Sequence, residues 1–230
     1  MKPIALLFVF ASLCFLSCQS QTRQTQTNNM ATAASKFLQG LNAEQKGKAQ
    51  FSLDDEERYN WHFIPRDRKG LALRELNAAQ HTAAMDLLKS ALSDKGFNKT
   101  NAIIKLENVL REVEKADEEY RNPGKYYFSI FGTPAGDSIW GWRLEGHHVS
   151  LNFSSKDNQV ISSTPGFMGA NPAVVLSGSQ KGLQVLKDET MLGFALLHSL
   201  DAKQKEKAIT ILLTEKLASI ILPAKTPLLE

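Results

Sequence analysis

The spacing of apolar residues changes character along the chain. Ala31 to Ala49 favours helix, with Phe37, Leu38 and Leu41 about a turn apart. Gly70 to Leu92 reads as an amphipathic helix whose stripe is Leu73, Leu76, Ala84, Leu87 and Ala91. Asn101 to Glu119 reads as another, with Ile103, Leu106, Val109, Leu110 and Val113 inward and charges outward. The period then falls to two. Tyr126–Phe131, Ile139–Leu144, His148–Phe153 and Val160–Ser163 read as strands separated by turn residues. Gly, Pro and Ser make 164–182 irregular, and two helices, Asp188–Leu200 and Ala202–Ile221, follow. Helices on either side of a small antiparallel sheet (about 126–163) predict an α+β fold.

The N-terminus has a different pattern. Lys2 precedes an apolar run from Ile4 to Leu16 that is short for a membrane span, and Ser17-Cys18 follows at once. Residues 1–17 are expected to be a lipoprotein-type signal peptide, with Cys18 as the lipidated first residue and the membrane as its partner. Plain secretion is the alternative, since Phe15 stands where Leu is usual. Either way the protein is exported: a cell-envelope or outer-membrane lipoprotein, otherwise periplasmic or secreted. Residues 18–30 are Gln-, Thr- and Asn-rich and read as a flexible tether, leaving 31–230 as a single α+β domain. Both cysteines, Cys14 and Cys18, fall in the N-terminal segment, so the domain relies on its core and not on disulfides.

Composition narrows the function classes. With 230 residues, 43% hydrophobic and 22% charged, the chain is an ordinary globular protein. A net charge of +3 with interspersed signs gives no basis for nucleic-acid binding. Gly-rich nucleotide loops, His-Glu-x-x-His and Gly-x-Ser-x-Gly are missing from the sequence.

The candidate chemistry gathers in two stretches. In Trp140–Phe153 the apolar set is Trp140, Trp142 and Leu144, then Val149, Leu151 and Phe153, so it moves from even to odd numbers. Such a slip needs a bulge or a tight turn, and Gly146 is the expected place. A bulge makes one polar row of Arg143, Glu145, His148, Ser150 and Asn152; a turn at Glu145-Gly146 makes two facing rows. A satisfied polar network under the helices is the alternative to a ligand site. Adjacent His147 and His148 point opposite ways on a regular strand. The second stretch joins Arg58 to Trp61-His62-Phe63-Ile64-Pro65, either a pocket wall or core packing. His81 and His198 read as structural or solvated.

His62, His148 and His147, with a carboxylate such as Glu145, form a candidate ligand set for zinc, copper or iron. Metal-assisted hydrolysis or oxidation is the function expected from it. Arg58 and Arg143 would orient an anionic group, and Ser150 and Asn152 would supply hydrogen bonds. The rival is a non-catalytic binding lipoprotein in which Trp61, Trp140 and Trp142 stack on a sugar or apolar ligand.

The strings Glu57-Arg58…Trp61-His62-Phe63-Ile64-Pro65…Arg68-x-Gly70-Leu71, Tyr126-Tyr127…Phe131-Gly132-x-Pro134, Trp140-Gly-Trp-Arg…Gly146-His-His-x-Ser-x-Asn-Phe153 and Thr164-Pro-x-Phe167…Gly169-Ala-Asn-Pro172 together resemble a known family. It is the largely bacterial domain-of-unknown-function family numbered thirty-five hundred. The resemblance runs from about Phe51 to Leu200 and implies that these segments act together without naming a reaction. It also implies a further C-terminal His-x-His and Trp-Arg-Asp motif. This chain does not contain that motif; if those histidines complete the family's site, this chain is expected to hold half of it, as a degenerate or shortened member, a truncated product or one that uses another partner.

Overall fold

A computed structural model of the chain describes residues 30–134, 138–157 and 159–209. The expected signal peptide and almost all of the expected tether fall outside these residues, as does the end of the last expected helix. The chain divides into two compact units, one ending at Leu186 and one starting at Lys187.

The first unit opens with helix α1 over residues 30–39 and helix α2, Ala43–Ala49. One continuous helix was expected here. Asn42 interrupts it, because its side chain accepts from the Gln45 amide in a reciprocal capping box that starts α2 afresh. Strand β1 (Gln50–Phe51) follows, then a short 3-10 turn over Glu56–Tyr59 and strand β2 (Leu71–Ala72). The helix expected from Gly70 begins only at Ala78 and runs as α3 to Ala91. Its start is set by Asn77, which caps the Gln80 amide, while Leu71-Ala72 is drawn into the sheet instead. Helix α4 spans Asp94–Glu114, capped by Ser93, and so begins a turn and more before the expected Asn101.

Strands β3 (Tyr127–Phe131), β4 (Trp140–Gly146), β5 (Val149–Lys156), β6 (Gln159–Ser162) and β7 (Gly166–Met168) complete one seven-stranded sheet. Its path is β1-β3-β4-β5-β6, with β2 beside β3 and β7 beside β5. The α+β class holds, but the sheet is mixed: β1 runs parallel to β3, and β1, β2 and β7 lie outside the expected 126–163. Strands of two or three residues carry no legible alternation, so they leave no signal in the sequence.

Pairing fixes which residues share a face. Phe128 and Ile130 on β3 lie beside Leu144 and Trp142 on β4, which lie beside Leu151 and Phe153 on β5. This face is covered by the helices, with Phe37, Ala84, Leu87, Leu88 and Ile103 in the same buried cluster. Trp142 stacks between Phe128 and Phe153 at 6.0 and 4.9 Å. The opposite face carries Ser129, Arg143, Glu145, Ser150 and Asn152, and β4 is buried along its whole length because that face is covered too.

In the second unit, α5 (Lys187–Ser199) and α6 (Ala202–Ala208, capped by Asp201) match the two expected helices as far as Ala208. Among the described residues no helix is long and apolar enough to cross a membrane.

Candidate functional site

The parity change in 140–153 has a simple origin. Gly146 is the last residue of β4 and pairs with Val149, so His147 and His148 alone make the turn of the β4–β5 hairpin. Every cross-strand pair then joins an even number to an odd one, and no bulge is needed at Gly146. A register shift does occur further along, where β5 meets β6 at Ser154/Ser155. His148 turns the corner at a φ of 59°, a left-handed conformation that is strained in a residue with a side chain. Gly146 permits the close approach of Tyr126, since a Cβ there would lie 2.3 Å from the Tyr126 ring. Tyr126 in turn donates its hydroxyl to the His147 carbonyl at 2.8 Å.

The polar sheet face is sealed by residues 57–68. Arg143 Nη1 donates to the Glu57 carbonyl and Nη2 to the Glu57 carboxylate, both at 2.7 Å. Glu145 Oε1 lies 2.7 Å from Arg143 Nη2 as an ion pair, without the angle of a hydrogen bond. Its other oxygen accepts the His62 amide at 3.2 Å and lies 3.3 Å from Arg68 Nε. Arg68 also donates to the carbonyls of His62, Ile64 and Arg66, which fixes the path of the covering loop. Glu57, Arg143 and Glu145 are at most 3% exposed. Burial pushes the Glu145 carboxyl up, against the opposing pull of Arg143. Ser150 is fully buried, and Asn152 donates to it at 3.0 Å and to the Pro165 carbonyl at 2.8 Å. Arg58 donates to Ser154 at 3.0 Å.

Of the expected row, Arg143, Glu145, Ser150 and Asn152 share this sheet face while His148 lies in the turn, and Arg58 joins from the covering loop through Ser154; Arg143 and Glu145 hold that loop down. None of the three most central groups reaches solvent. His62 adds its backbone amide to this network, while its ring Nε2 bonds to Asn60 Oδ1 at 3.0 Å. Burial and the neighbouring Arg66 and Arg68 lower its pKa.

The histidines of the turn are placed differently. Their rings lie 4.3 Å apart, centre to centre. His148 packs against Phe63 and Phe167, each at 6.3 Å, and its Nδ1 is buried without a hydrogen-bond partner. Desolvation first, then His147 and Arg121, lower its pKa to about 4, so the ring is neutral at neutral pH. His147 bonds through Nδ1 to Glu107, a carboxylate on α4 that is 3% exposed. Behind Glu107, Arg121 Nη1 stands 3.9 Å from its second oxygen and is itself held by a two-bond grip on Glu114 at 2.8 and 3.0 Å. An ionised carboxylate only accepts, so a His147 ring that donates to one would carry a proton on Nδ1.

His147 and Glu107 line a recess of about 220 Å³ whose walls also include Arg66, Asp67, Asn122 and Lys125. A larger depression of about 410 Å³ lies against α4 near Ser179, but it holds no histidine. The facial metal set expected from His62, His148 and a carboxylate is not assembled. Among the described residues no three His, Cys, Asp or Glu side chains converge in a way that would hold a metal ion. The two-residue turn carries the His148 ring onto Phe63 and Phe167, and His62 is occupied by Asn60.

Trp140 and Trp142 are core residues, 0% and 1% exposed, which leaves Trp61 as the half-buried tryptophan available for stacking. Glu107, Arg121 and Tyr126 are the participants for which no role was expected from the sequence. Glu107 was legible: it lies four residues after Ile103 and three before Leu110, on the inward stripe of α4, where a carboxylate needs a partner.

No curated protein and no solved structure matches the chain. The profile of one family, described as "Protein of unknown function (DUF3500)", matches residues 23–225, including every part of the hairpin site. The chain belongs to the DUF3500 family.

Proposed function

We propose that this is an exported, lipid-anchored protein that takes a small molecule into the recess beside the β4–β5 turn and performs acid–base chemistry on it with His147. The export signal and Cys18 support the anchoring. One observation carries the chemistry: His147 is hydrogen-bonded through Nδ1 to a buried carboxylate while it lines a cavity. A carboxylate behind an imidazole fixes its tautomer and supports the imidazolium once the ring has taken a proton. In this reading Nε2 takes a proton from a hydroxyl or water held in the recess and returns it to the leaving or newly formed group. Arg121 faces Glu107 from behind, its Nη1 3.9 Å from the second carboxylate oxygen. The strained turn and the orphaned His148 nitrogen are features that accumulate at working sites.

Nitrogen-resolved NMR of the histidine rings tests the arrangement. In its neutral form the His147 ring should carry its proton on Nδ1 and leave Nε2 bare, and Glu107→Gln should abolish that preference. A His147 ring that exchanges freely between tautomers in the unaltered protein would sink the acid–base reading. Transfer of labelled acyl chains to the protein in cells, lost in Cys18→Ser, checks the anchor.

A further inference from the structure

We infer that the ligand of this recess is a neutral saccharide, seated with one ring face on an aromatic shelf beside the turn; this rests on the reading of the recess as a ligand site. The shelf consists of Trp61, Phe63 and Phe167. Phe167 lies 6.0 Å from Trp61 and 5.6 Å from Phe63, and Phe63 remains 44% exposed. The shelf continues through His148, 6.3 Å from Phe63, to His147, 4.3 Å further on, and His147 is already a wall of the recess. Apolar shelf and polar recess therefore meet at the two histidines.

Folding holds the shelf in place at a cost. Phe63 belongs to the loop that Arg68 and Glu145 pin from below, and the Phe63 carbonyl accepts the His148 amide at 2.9 Å. Gly169 keeps the other side compact: a Cβ there would lie 3.2 Å from both the His148 and the Phe167 rings. Half-exposed aromatics fixed this firmly are a preorganised surface, not a floppy apolar patch.

The recess selects the ligand's charge and size. Its cations and anions are close to balance: Arg66, Arg68 and Lys125 against Asp67 and Glu107, with Lys125 already 3.1 Å from Asp67. Such a site offers no strong attraction to a net charge of either sign. It does present donors and acceptors side by side, with Asn122 and Tyr120 adding groups that do both. Hydroxyls that each donate and accept suit that mixture, and the C–H face of a pyranose suits an aromatic shelf. At about 220 Å³ the recess is smaller than the roughly 300–1,000 Å³ typical of drug-sized ligands, as befits one sugar ring.

The test uses the full mature chain with Cys18→Ser to keep it in solution. It is titrated with neutral mono- to tetrasaccharides covering the common glucose, galactose, mannose and N-acetylglucosamine linkages. Because Trp140 and Trp142 are buried, a change in tryptophan emission reports on Trp61. At least one saccharide should give a saturable emission change and matching calorimetric heat. Trp61→Ala should weaken binding tenfold or more, whereas Trp61→Phe, which keeps a ring, should stay within a few-fold by calorimetry. Failure of every saccharide, or binding indifferent to Trp61→Ala, overturns the inference. Succinate and inorganic phosphate serve as controls. If they shift the His147 ring signals and no saccharide does, the ligand class is wrong while the acid–base recess survives. If saccharides bind through Trp61 in a protein whose His147 lacks the fixed tautomer, the shelf stands and the catalytic reading falls.

Discussion

Two clusters of buried charge flank one hairpin, and they end differently. On the sheet face, Glu57, Arg143, Glu145 and Arg68 form a chain in which the carboxylates meet guanidinium or amide groups and the outer arginine ends on backbone carbonyls. On the other side, Arg121, Glu107 and His147 form a second buried chain, gripped from the surface by Glu114, but its last member opens onto a cavity. Burying charge is expensive in both, and pairing offsets most of the cost. The closed chain spends its polarity on holding residues 57–68 against the sheet. The open chain leaves one ring nitrogen uncommitted. Convergent polarity therefore marks a site only where the network has a free end.

The largest effect should come from breaking the closed chain. Arg143→Ala strands two buried carboxylates and should cost about 3–5 kcal/mol, a large share of the total stability of a typical domain. A urea melt should show an early transition or an unfolded protein. Arg143→Met with Glu57→Gln removes one stranded carboxylate and leaves Glu145 to pair with Arg68, and should recover part of the loss. Gly146→Ala comes next: the added methyl meets the Tyr126 ring and should cost roughly 1–3 kcal/mol, and it should disturb the His147 signals by displacing the hydroxyl that holds its carbonyl. The open chain should behave in the opposite way. Glu107→Gln keeps the shape of the side chain and should change stability by only about 1 kcal/mol, yet it should lose the His147 tautomer and lower any activity of the recess by about a hundredfold or more. Comparable stability losses in Arg143→Ala and Glu107→Gln would erase the distinction between the chains.

Much of this was legible in the sequence, for reasons that also explain the misses. Trp142, Leu144, Leu151 and Phe153 alternate strictly, so their face and the α+β class could be read directly. The polar partners on the other face, Arg143 and Glu145 with Ser150 and Asn152, followed from the same alternation. Whether that face was open or covered did not follow, because the cover is a loop without periodicity, held by side chains whose partners lie more than 75 residues away, as in Arg68 to Gly146 and Arg143 to Glu57. The strand was expected to start at His148, after a bulge or turn at Gly146, yet Gly146↔Val149 pairing puts both His147 and His148 in the turn and brings their rings together. The helix expected from Gly70 failed because a stripe of leucines cannot reveal that Asn77 will cap and Leu71 will pair with Phe128.

The smallest prediction concerns His148, which sits between the two chains and belongs to neither. Its folded pKa of about 4 lies below the unfolded value near 6.5. Above pH 6.5 the ring is neutral in both states and its burial carries no proton penalty. As pH falls through 6.5 the unfolded chain takes up a proton that the folded ring refuses, so stability declines until about pH 4 and levels off for this group below it. The ring is only partly buried, so solvent screening reduces the effect to about 1–2 kcal/mol. Many carboxylates titrate over the same range, and the difference between two proteins isolates the histidine. His148→Asn tolerates the left-handed turn and cannot titrate. Its stability should fall less than that of the unaltered protein between pH 6.5 and 4, while the two curves run parallel above pH 7. Parallel curves throughout would mean that the ring is hydrated in the folded state. The junction between shelf and recess would then be wet, and the aromatic surface and the acid–base site would be separate features of the same turn.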